Sequence, residues 1–554
     1  MELLTAKKFE TDVLIIGAGG AGLRAAIAAH NQGVRVLVVT KGDYPSGCIT
    51  ATAMGAMSAP MNRQDSADRH FEDTIRGGYS LNNAKLVRLL VDQAVDRARD
   101  IEGYGTEFQK DSGEYDLFPF PGNTFPRGVL AGDLYRGGFF KGLVKEAARL
   151  EIQILEHVMI FDLIKEGEAV VGAMGLETNQ DRLFHIHAKA VVIATGGAGN
   201  LYSLTTNIPG ITGDGFALGF NAGAKLADME FMQSRACMIY PTAMRGTPPP
   251  ADGCVTIGGR FYNGLGERFM KKYYPEKLEQ VTRSETARGA QKEIMEGRAS
   301  LHGGVYGDLS GVAKEDLAKF KGFVQTCAEI NFDPTWQPYE WAPGAHYFMG
   351  GIVINEKCET GVPGLYAAGE AQTGVMGANR LAGNALTETQ VFGAIAGAAA
   401  AQRAQTMGLP GVAPEREKKA QDRIETILKR KKGIDYREVR GEITETMTLH
   451  AGVLRHEDGL RRALRSLDEI QQKKIGSICL PEKSTLKGLA GILETENILA
   501  VSRLILQAAL LRTESRGAHN REDYPETDEK WLRNIVFQRQ GEETAVNVAP
   551  IAKA

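Results

Sequence analysis

The chain has few of the features that would tie it to a metal cluster, a membrane or a nucleic acid. Its 554 residues include only six cysteines: Cys48, Cys237, Cys254, Cys327, Cys358 and Cys479. No two stand at CxxC or similar ligand spacing, so a cluster or structural zinc built from a local motif is excluded, and reduced thiols of a cytoplasmic protein are expected. No apolar run reaches the length of a membrane span. The Ala-rich stretch at 393–402 is too short and reads as a close-packed helix. The first ten residues, MELLTAKKFE, carry neither the apolar core of a signal peptide nor a twin arginine. A net charge of −3 gives no reason to expect nucleic acid or an anionic membrane as a partner.

What is plentiful is glycine, 65 residues, gathered into tight motifs and not spread through linkers. That distribution suggests backbone lying close against a ligand. The length exceeds what one hydrophobic core supports. Val13 to Ile16 is a short apolar run of the buried-strand type, followed by Gly17-Ala-Gly19-Gly20-Ala-Gly22, a helical stretch to Asn31 and a second apolar run at Val34 to Val39. Strand, glycine turn, helix and strand form the opening unit of a doubly wound sheet. Two more buried strands are expected, at Ala190 to Ala194, ending in Thr195-Gly196-Gly197, and at 364–368, ending in Gly369-Glu370.

A lone GxGxxG is weak, but one placed between a strand and a helix is the confirming context for a dinucleotide site. Gly17 allows the tight turn, Gly19 lets backbone approach a pyrophosphate, and Gly22 permits close helix–strand packing. Position 41 narrows the ligand. A nicotinamide site of the usual kind ends the second strand in an acid that accepts the ribose hydroxyl, whereas this strand ends Thr40-Lys41, and a lysine accepts nothing. From about 233 to 345 the texture becomes irregular, with three prolines at 248–250, and reads as an inserted lid. From about 415 it becomes charged and helix-periodic. The expected fold class is therefore α/β: a Rossmann-like nucleotide-binding domain (1–232 and 346–412), an inserted α+β capping domain (233–345) and a C-terminal helical domain (413–554).

Several separated segments resemble one family, the flavoprotein subunits of succinate dehydrogenase and fumarate reductase, to which L-aspartate oxidase is also related. They are Thr40-Lys41 with Pro45-Ser46-Gly47 and Met54-Gly55-Ala56; Ala194-Thr195-Gly196-Gly197; 212–215, TGDG; Met229-Glu230-Phe231; His346-Tyr-Phe-Met-Gly-Gly351; Gly369-Glu370; Gly377-Ala-Asn-Arg380-Leu381 with Asn384-Ala385-Leu386-Thr-Glu388; and Arg512-Thr-Glu-Ser-Arg-Gly-Ala-His519. They run in order over nearly the whole chain. The resemblance implies FAD held by Gly17, Gly19, Gly20, Gly22, Thr40, Lys41, Ser46, Gly47, Gly55, Ala194, Thr195, Gly196, Asp214, Glu370, Arg380, Asn384, Ala385 and Leu386. It implies hydride exchange with a small carboxylate substrate, with Arg283, His346 and Arg380 as catalytic or substrate-binding residues. It also implies electron exchange with a separate iron–sulfur subunit. Two further readings stay open: an L-aspartate oxidase-like enzyme, and a flavin electron-transfer subunit of a larger complex.

Two departures from the family pattern matter. Residues 41–57 contain no histidine, so FAD is expected to be bound non-covalently. Where the family reads MEFVQFHPT, this chain reads Met229-Glu-Phe-Met-Gln-Ser234-Arg235, so either Arg235 stands for the histidine or the match moves to Tyr240-Pro241-Thr242. The later Thr-Glu pair has become Thr256-Ile257, and Arg260 follows closely. Arg235, Tyr240 and Arg260 are expected to reshape the pocket, favouring a substrate with an additional anionic or hydroxyl group over plain fumarate or succinate.

Overall fold

A computed structural model describes residues 6–53, 55–132, 138–179, 182–249, 257–430, 432–480 and 486–551. Met54, Cys254 and Thr256 lie outside these residues. The first strand, β1 (Ala6–Ile16), leads through the glycine turn into α1 (Gly20–His30) and then β2 (Val36–Val39). β1 is longer than the apolar run suggested, because its amino-terminal half pairs in parallel with Leu183 to Ala188 of another strand.

β3 (Gln153–Leu155), β4 (Val158–Glu166), β5 (Ala169–Glu177) and β6 (Arg182–Ile193) complete the main path of the sheet. The order is β3-β2-β1-β6-β5-β4. β3, β2, β1 and β6 run parallel, while β4 and β5 are antiparallel additions beyond β6. The carboxyl halves of β1 and β6, with β2 between them and the edge, are buried, which is why they read as Val, Ile and Leu runs, whereas the edge strand β3 is partly exposed.

Behind this sheet α1 packs against a long helix later in the chain, Asn384–Gln405. Gly393 and Gly397 make the approach possible: a Cβ on Gly393 would stand 2.7 Å from the Ala21 carbonyl oxygen, and one on Gly397 2.1 Å from that of Ala25. The Ala-rich stretch is thus a helix whose missing side chains bring two backbones together.

The lid is organised by a second sheet. After α2 (Asp214–Ala222) and the short β7 (Leu226–Ala227), the chain enters β8 (Met232–Tyr240), then β9 (Arg260–Tyr262), α3 (Arg283–Met295), β10 (Val305–Asp308) and β11 (Tyr339–Phe348). The sheet order is β8-β11-β10-β9, all antiparallel. A boundary at 345/346 therefore falls inside a strand: β11 begins in the lid and carries the chain back toward the nucleotide-binding sheet. After β12 (Gly351–Ile352), β13 (Leu365–Ala367) joins β6 beside its carboxyl end, and the long helix follows as α4 (Asn384–Gln405).

The C-terminal region contains α5 (Pro414–Leu428), α6 (Tyr436–His450), α7 (Glu457–Lys473) and α8 (Leu486–Leu511). It ends in a hairpin that the helical reading did not single out, β14 (Arg533–Gln540) and β15 (Glu543–Pro550). β14 pairs with β7, giving a four-stranded sheet ordered β12-β7-β14-β15. Among the described residues no helix is long and apolar enough to cross a membrane, and no cluster of three His, Cys, Asp or Glu side chains is placed to hold a metal ion.

Candidate functional site

Strand ends converge on one cavity of about 1260 Å³. Its nucleotide side is built by the carboxyl ends of β1, β2 and β6, where ligands bind in open α/β sheets. Gly17 turns at φ +111° directly beneath Ala194, and a Cβ there would stand 2.3 Å from the Ala194 carbonyl oxygen. Gly22 packs so tightly that a Cβ would meet the Gly17 carbonyl oxygen at 1.8 Å. Gly19 differs: a Cβ there would find nothing nearer than 3.6 Å. Packing within the protein does not require that glycine, whereas close approach of a ligand would.

Thr40, Lys41, Ser46, Gly47, Gly55, Ala194, Thr195, Gly196, Asp214, Glu370, Ala385 and Leu386 also line the cavity. Lys41 is not idle there. Its ammonium donates to Asp214 Oδ2 at 2.6 Å, Glu494 Oε1 at 2.7 Å and Thr212 Oγ1 at 2.9 Å. Burial works against the charge, but the two carboxylates outweigh it and raise the Lys41 pKa. Thr195 Oγ1 is buried with no hydrogen-bond partner among the described residues, as expected of a group reserved for a ligand.

Of the expected cofactor contacts, Gly22 and Asn384 do not line the cavity. Asn384 serves packing. It is fully buried away from the cavity, its Oδ1 2.8 Å from His70 Nε2 and its Nδ2 donating to Thr74 Oγ1 at 3.0 Å. It stands at the first turn of α4, and its side chain faces the helical layer behind the sheet, where it ties elements together.

The far end of the cavity gathers the lid residues. β11 brings His346, the first turn of α3 brings Arg283, the loop before α4 brings Arg380, and β8 brings Arg235. The β8–β11 register sets Ser234 opposite Ala345 and Arg235 opposite Gly344, so Arg235 stands next to His346 across the sheet. Arg283 follows a capping box in which Thr282 and Glu285 satisfy each other's backbone amides, fixing where the helix starts. Its Nη1 lies 3.4 Å from His346 Nε2.

A guanidinium can only donate, so Nε2 accepts and the proton of neutral His346 sits on Nδ1, which donates to Thr206 Oγ1 at 2.7 Å. Burial and the charges of Arg283, Arg235 and Arg380 hold the His346 pKa well below its ordinary value. Burial and these charges therefore favour the neutral imidazole.

Arg380 is held by neutral groups. Its Nη2 donates to Gln233 Oε1 at 3.1 Å, and its Cζ sits 4.4 Å from the centre of the Tyr347 ring. Gln233 in turn donates to the Arg380 carbonyl at 2.8 Å and to Asn379 Oδ1 at 2.9 Å. Burial and the neighbouring Arg283 charge lower the Arg380 pKa to about 10. Behind it lie two buried carboxyls. Burial pushes Glu370 up to about 7 and Glu388 up to about 8, and Glu388 accepts hydrogen bonds from Tyr347 and Gln372. At Arg380 the wall is thus cationic and rests on an amide and an aromatic ring.

Two residues expected to reshape this pocket do not reach it. Tyr240 is 37% exposed and stacks on His302 with ring centres 4.6 Å apart, and Arg260 is exposed at the start of β9. Of the three departures only Arg235 lies at the site. Arg245, which no local motif marked, lines the cavity with Thr247. Its signal would have been visible only once the loop after β8 was known to fold back.

The comparisons match this geometry. The profile described as FAD binding domain covers residues 12–386, and that described as fumarate reductase flavoprotein C-term covers residues 440–553. The chain belongs to the FAD-binding flavoproteins of the fumarate reductase and succinate dehydrogenase type. It is 40% identical to one subunit of the fumarate reductase (CoM/CoB) of Methanothermobacter marburgensis, over 96% of this chain and 98% of the relative. It is 32% identical to the L-aspartate oxidase of Streptomyces coelicolor, over 96% and 92% of the two chains. Among solved structures, an E. coli quinol fumarate reductase superposes with a TM-score of 0.92 at 29% identity, over 99% of this chain and 98% of that one. The flavoprotein is accordingly an FAD-dependent oxidoreductase acting on CH–CH groups.

Proposed function

We propose that this flavoprotein reduces a small unsaturated dicarboxylate of the fumarate class, with electrons supplied by a separate iron–sulfur subunit. The observation that carries the reading is the meeting of Arg235, Arg283, His346 and Arg380 at one end of a cavity whose other end is the dinucleotide cleft. Bound FAD would supply the hydride.

The residues divide the remaining work. Arg380, with its planar fork hydrogen-bonded to a neutral amide oxygen, suits a substrate carboxylate. The Arg235 guanidinium offers further donors from the lid, while neutral His346, whose one N–H is taken by Thr206, orients Arg283 through Nε2. Arg283, beside them at the start of α3, is placed to stabilise negative charge developing on the substrate carbon and to hold the proton that carbon receives. Closure of the lid over a substrate would exclude water and strengthen each of these contacts.

Three supports favour an iron–sulfur partner. Reduced FAD carries two electrons that must come from a donor. No metal-holding cluster occurs among the described residues. The relative of M. marburgensis is named as one subunit of a fumarate reductase. FAD held without a covalent bond is the reading of the histidine-free loop at 41–57: acid precipitation should release the flavin colour into the supernatant.

The assay is anaerobic oxidation of a reduced viologen dye with fumarate, substituted fumarates or tricarboxylates, beside aerobic peroxide formation with L-aspartate. Because Tyr240 and Arg260 lie away from the pocket, the reason to rank plain fumarate low rests on Arg235 and on the departures from the family's His-Pro-Thr and Thr-Glu motifs, and fumarate is the first substrate to test. Turnover of fumarate with kcat/KM of about 10⁴ M⁻¹s⁻¹ or above supports the reading. Peroxide formation from aspartate without fumarate turnover would replace it with the aspartate oxidase reading, which the 32% identical relative keeps open.

A further inference from the structure

The second strand of a dinucleotide-binding sheet usually ends in an acid that accepts hydrogen bonds from a ribose. Here that position is Lys41, which can only donate. Its ammonium has three protons, and all three are taken, by Asp214, Glu494 and Thr212. Lys41 therefore holds two carboxylates at the end of β2, where the strand itself carries none.

One of the two comes from outside the nucleotide-binding domain. Glu494 stands on α8, in the C-terminal region, and lines the cavity together with Lys487, Ala490 and Gly491. That spacing puts the four residues on one face of the helix. Tyr436, at the start of α6, lines the cavity beside them, and a Cβ on Gly491 would come within 2.4 Å of the Tyr436 ring. α8 is thus fitted closely to α6 while it turns one face toward the cofactor cleft.

The number of hydrogen bonds already made separates the two acids. An ionised carboxylate has about four acceptor positions, two on each oxygen. Asp214 accepts from Lys41 at Oδ2, and at Oδ1 from Thr212 at 3.0 Å and Asn497 at 2.9 Å. Among the described residues Glu494 accepts only from Lys41 at Oε1 and from Arg440 Nη1 at Oε2, the latter at 2.9 Å. Each Glu494 oxygen keeps an acceptor position, which suits a pair of adjacent hydroxyls. The side chain is 13% exposed and is braced by a cation on each oxygen.

We propose that the C-terminal helical region is part of the FAD site, with Glu494 accepting hydrogen bonds from the two hydroxyls of the adenosine ribose in place of the acid that β2 lacks. Lys41 and Arg440 are positioning residues that aim its carboxylate. Bound FAD then ties α8 to the nucleotide-binding sheet through the ribose as well as through Lys41. Nothing in this contact depends on which substrate the flavin serves.

The test uses the full chain freed of flavin and titrated with FAD, or with the dideoxyadenosine analogue of FAD whose ribose lacks both hydroxyls. Binding is read from the change in flavin fluorescence. The unaltered protein should bind the analogue about 10- to 100-fold more weakly than FAD, the range for hydrogen bonds to a charged acceptor. Glu494→Met removes the acceptor; it should weaken FAD binding by a similar factor and hold FAD and analogue within about threefold of each other, as a closed double-mutant cycle requires. Glu494→Gln, which leaves one neutral acceptor, should discriminate less than the unaltered protein and more than Glu494→Met. Where Glu494→Met does not fold or holds no flavin, Glu494→Gln carries the same comparison.

Equal affinity of the unaltered protein for FAD and the analogue overturns the proposal without any variant. Unchanged FAD affinity in Glu494→Met does the same. So does a variant that binds both ligands more weakly yet separates them by the full factor, because Glu494 would then be a structural partner of Lys41 and the hydroxyls would be held by another group.

Discussion

Two buried arginines of this chain have opposite surroundings. Arg512, fully buried, donates to Glu230 Oε1 at 2.6 Å, to Glu514 Oε1 at 3.0 Å and to the carbonyls of Trp531 and Arg533 at 2.9 and 2.8 Å. Arg380, 7% exposed, has an amide oxygen and an aromatic ring, and its Nε has no hydrogen-bond partner among the described residues. Burial opposes both charges. At Arg512 the carboxylates of Glu230, Asp228 and Glu514 outweigh burial and the pKa rises; at Arg380 burial acts together with the Arg283 charge and the pKa falls. A guanidinium neutralised inside the chain holds elements together: Arg512 joins the end of α8 to the segment entering the lid. One left among neutral groups is suited to an anion from outside.

The comparison is most easily broken at Arg512. Arg512→Met leaves Glu230 and Glu514 buried without their partner and should destabilise the protein by about 3–5 kcal/mol, the range for breaking a buried pair from one side. Urea unfolding of the FAD-loaded protein measures this. An unchanged midpoint would show that the cluster carries no structural load.

Arg380→Lys should act on the reaction and leave folding nearly intact. Lysine keeps the charge but loses the fork. The expected loss is about 2–5 kcal/mol in kcat/KM, with an unfolding midpoint shifted by less than about 1 kcal/mol. If kcat/KM were unchanged with the substrate turned over by the unaltered protein, Arg380 would not clamp a carboxylate.

Glu388 sharpens the contrast from the acid side. Its pKa is pushed by burial from an ordinary 4.5 to about 8, so the folded protein keeps a proton that the unfolded chain releases between those values. Stability from this group is fully present below about pH 4.5 and is lost as pH rises toward 8, at a slope of up to about 1.4 kcal/mol per pH unit. Glu388→Gln, which cannot ionise, should flatten the fall of the unfolding free energy across that window. Parallel curves for the two proteins would show that Glu388 is already ionised when folded.

The local parts of this arrangement were legible and the long-range ones were not. β1, the glycine turn and α1 are contiguous, so apolar run, spacing and helix pattern all point to one unit. His346 and Arg380 could be named because each sits in a short motif, and Arg283 from its place in Val281-Thr282-Arg283-Ser284-Glu285. Arg245 and the Gln233–Arg380 pairing have no local signature. They exist because β8 pairs with β11, strands separated by about a hundred residues, and only that register puts Arg235 beside His346. Asn384 departs from expectation for a related reason: a helix's first turn can face the cavity or the layer behind it, and packing against His70 and Thr74 decides. The terminal hairpin did carry a signal, alternating apolar residues in RNIVFQRQ with Gly541 at φ +65° in the turn, but the charged helices before it set the expectation.

The smallest effect is expected where sequence position suggested a pocket residue and the fold puts a surface one. Tyr240 follows Arg235 by five residues on the same strand, and Arg260 stands three residues after Ile257, so both invited roles in substrate choice. In the folded chain the Tyr240 ring lies flat on His302 at an interplanar angle of 4°, with Phe332 at its edge, and neither Tyr240 nor Arg260 lines the cavity. Tyr240→Phe keeps the stacked ring and removes only an exposed hydroxyl. Arg260→Ala removes an exposed charge. Each should change both stability and kcat/KM by no more than about 0.5 kcal/mol, the usual range for surface substitutions. Arg235→Gln should stand apart from both, because its charge is 2% exposed and shared with His346 and Arg380. Measured side by side on fumarate and a tricarboxylate, the three variants separate a pocket cation from two surface residues. A loss at Arg260 or Tyr240 comparable to that at Arg235 would mean that the lid closes further over the substrate than this structure has it.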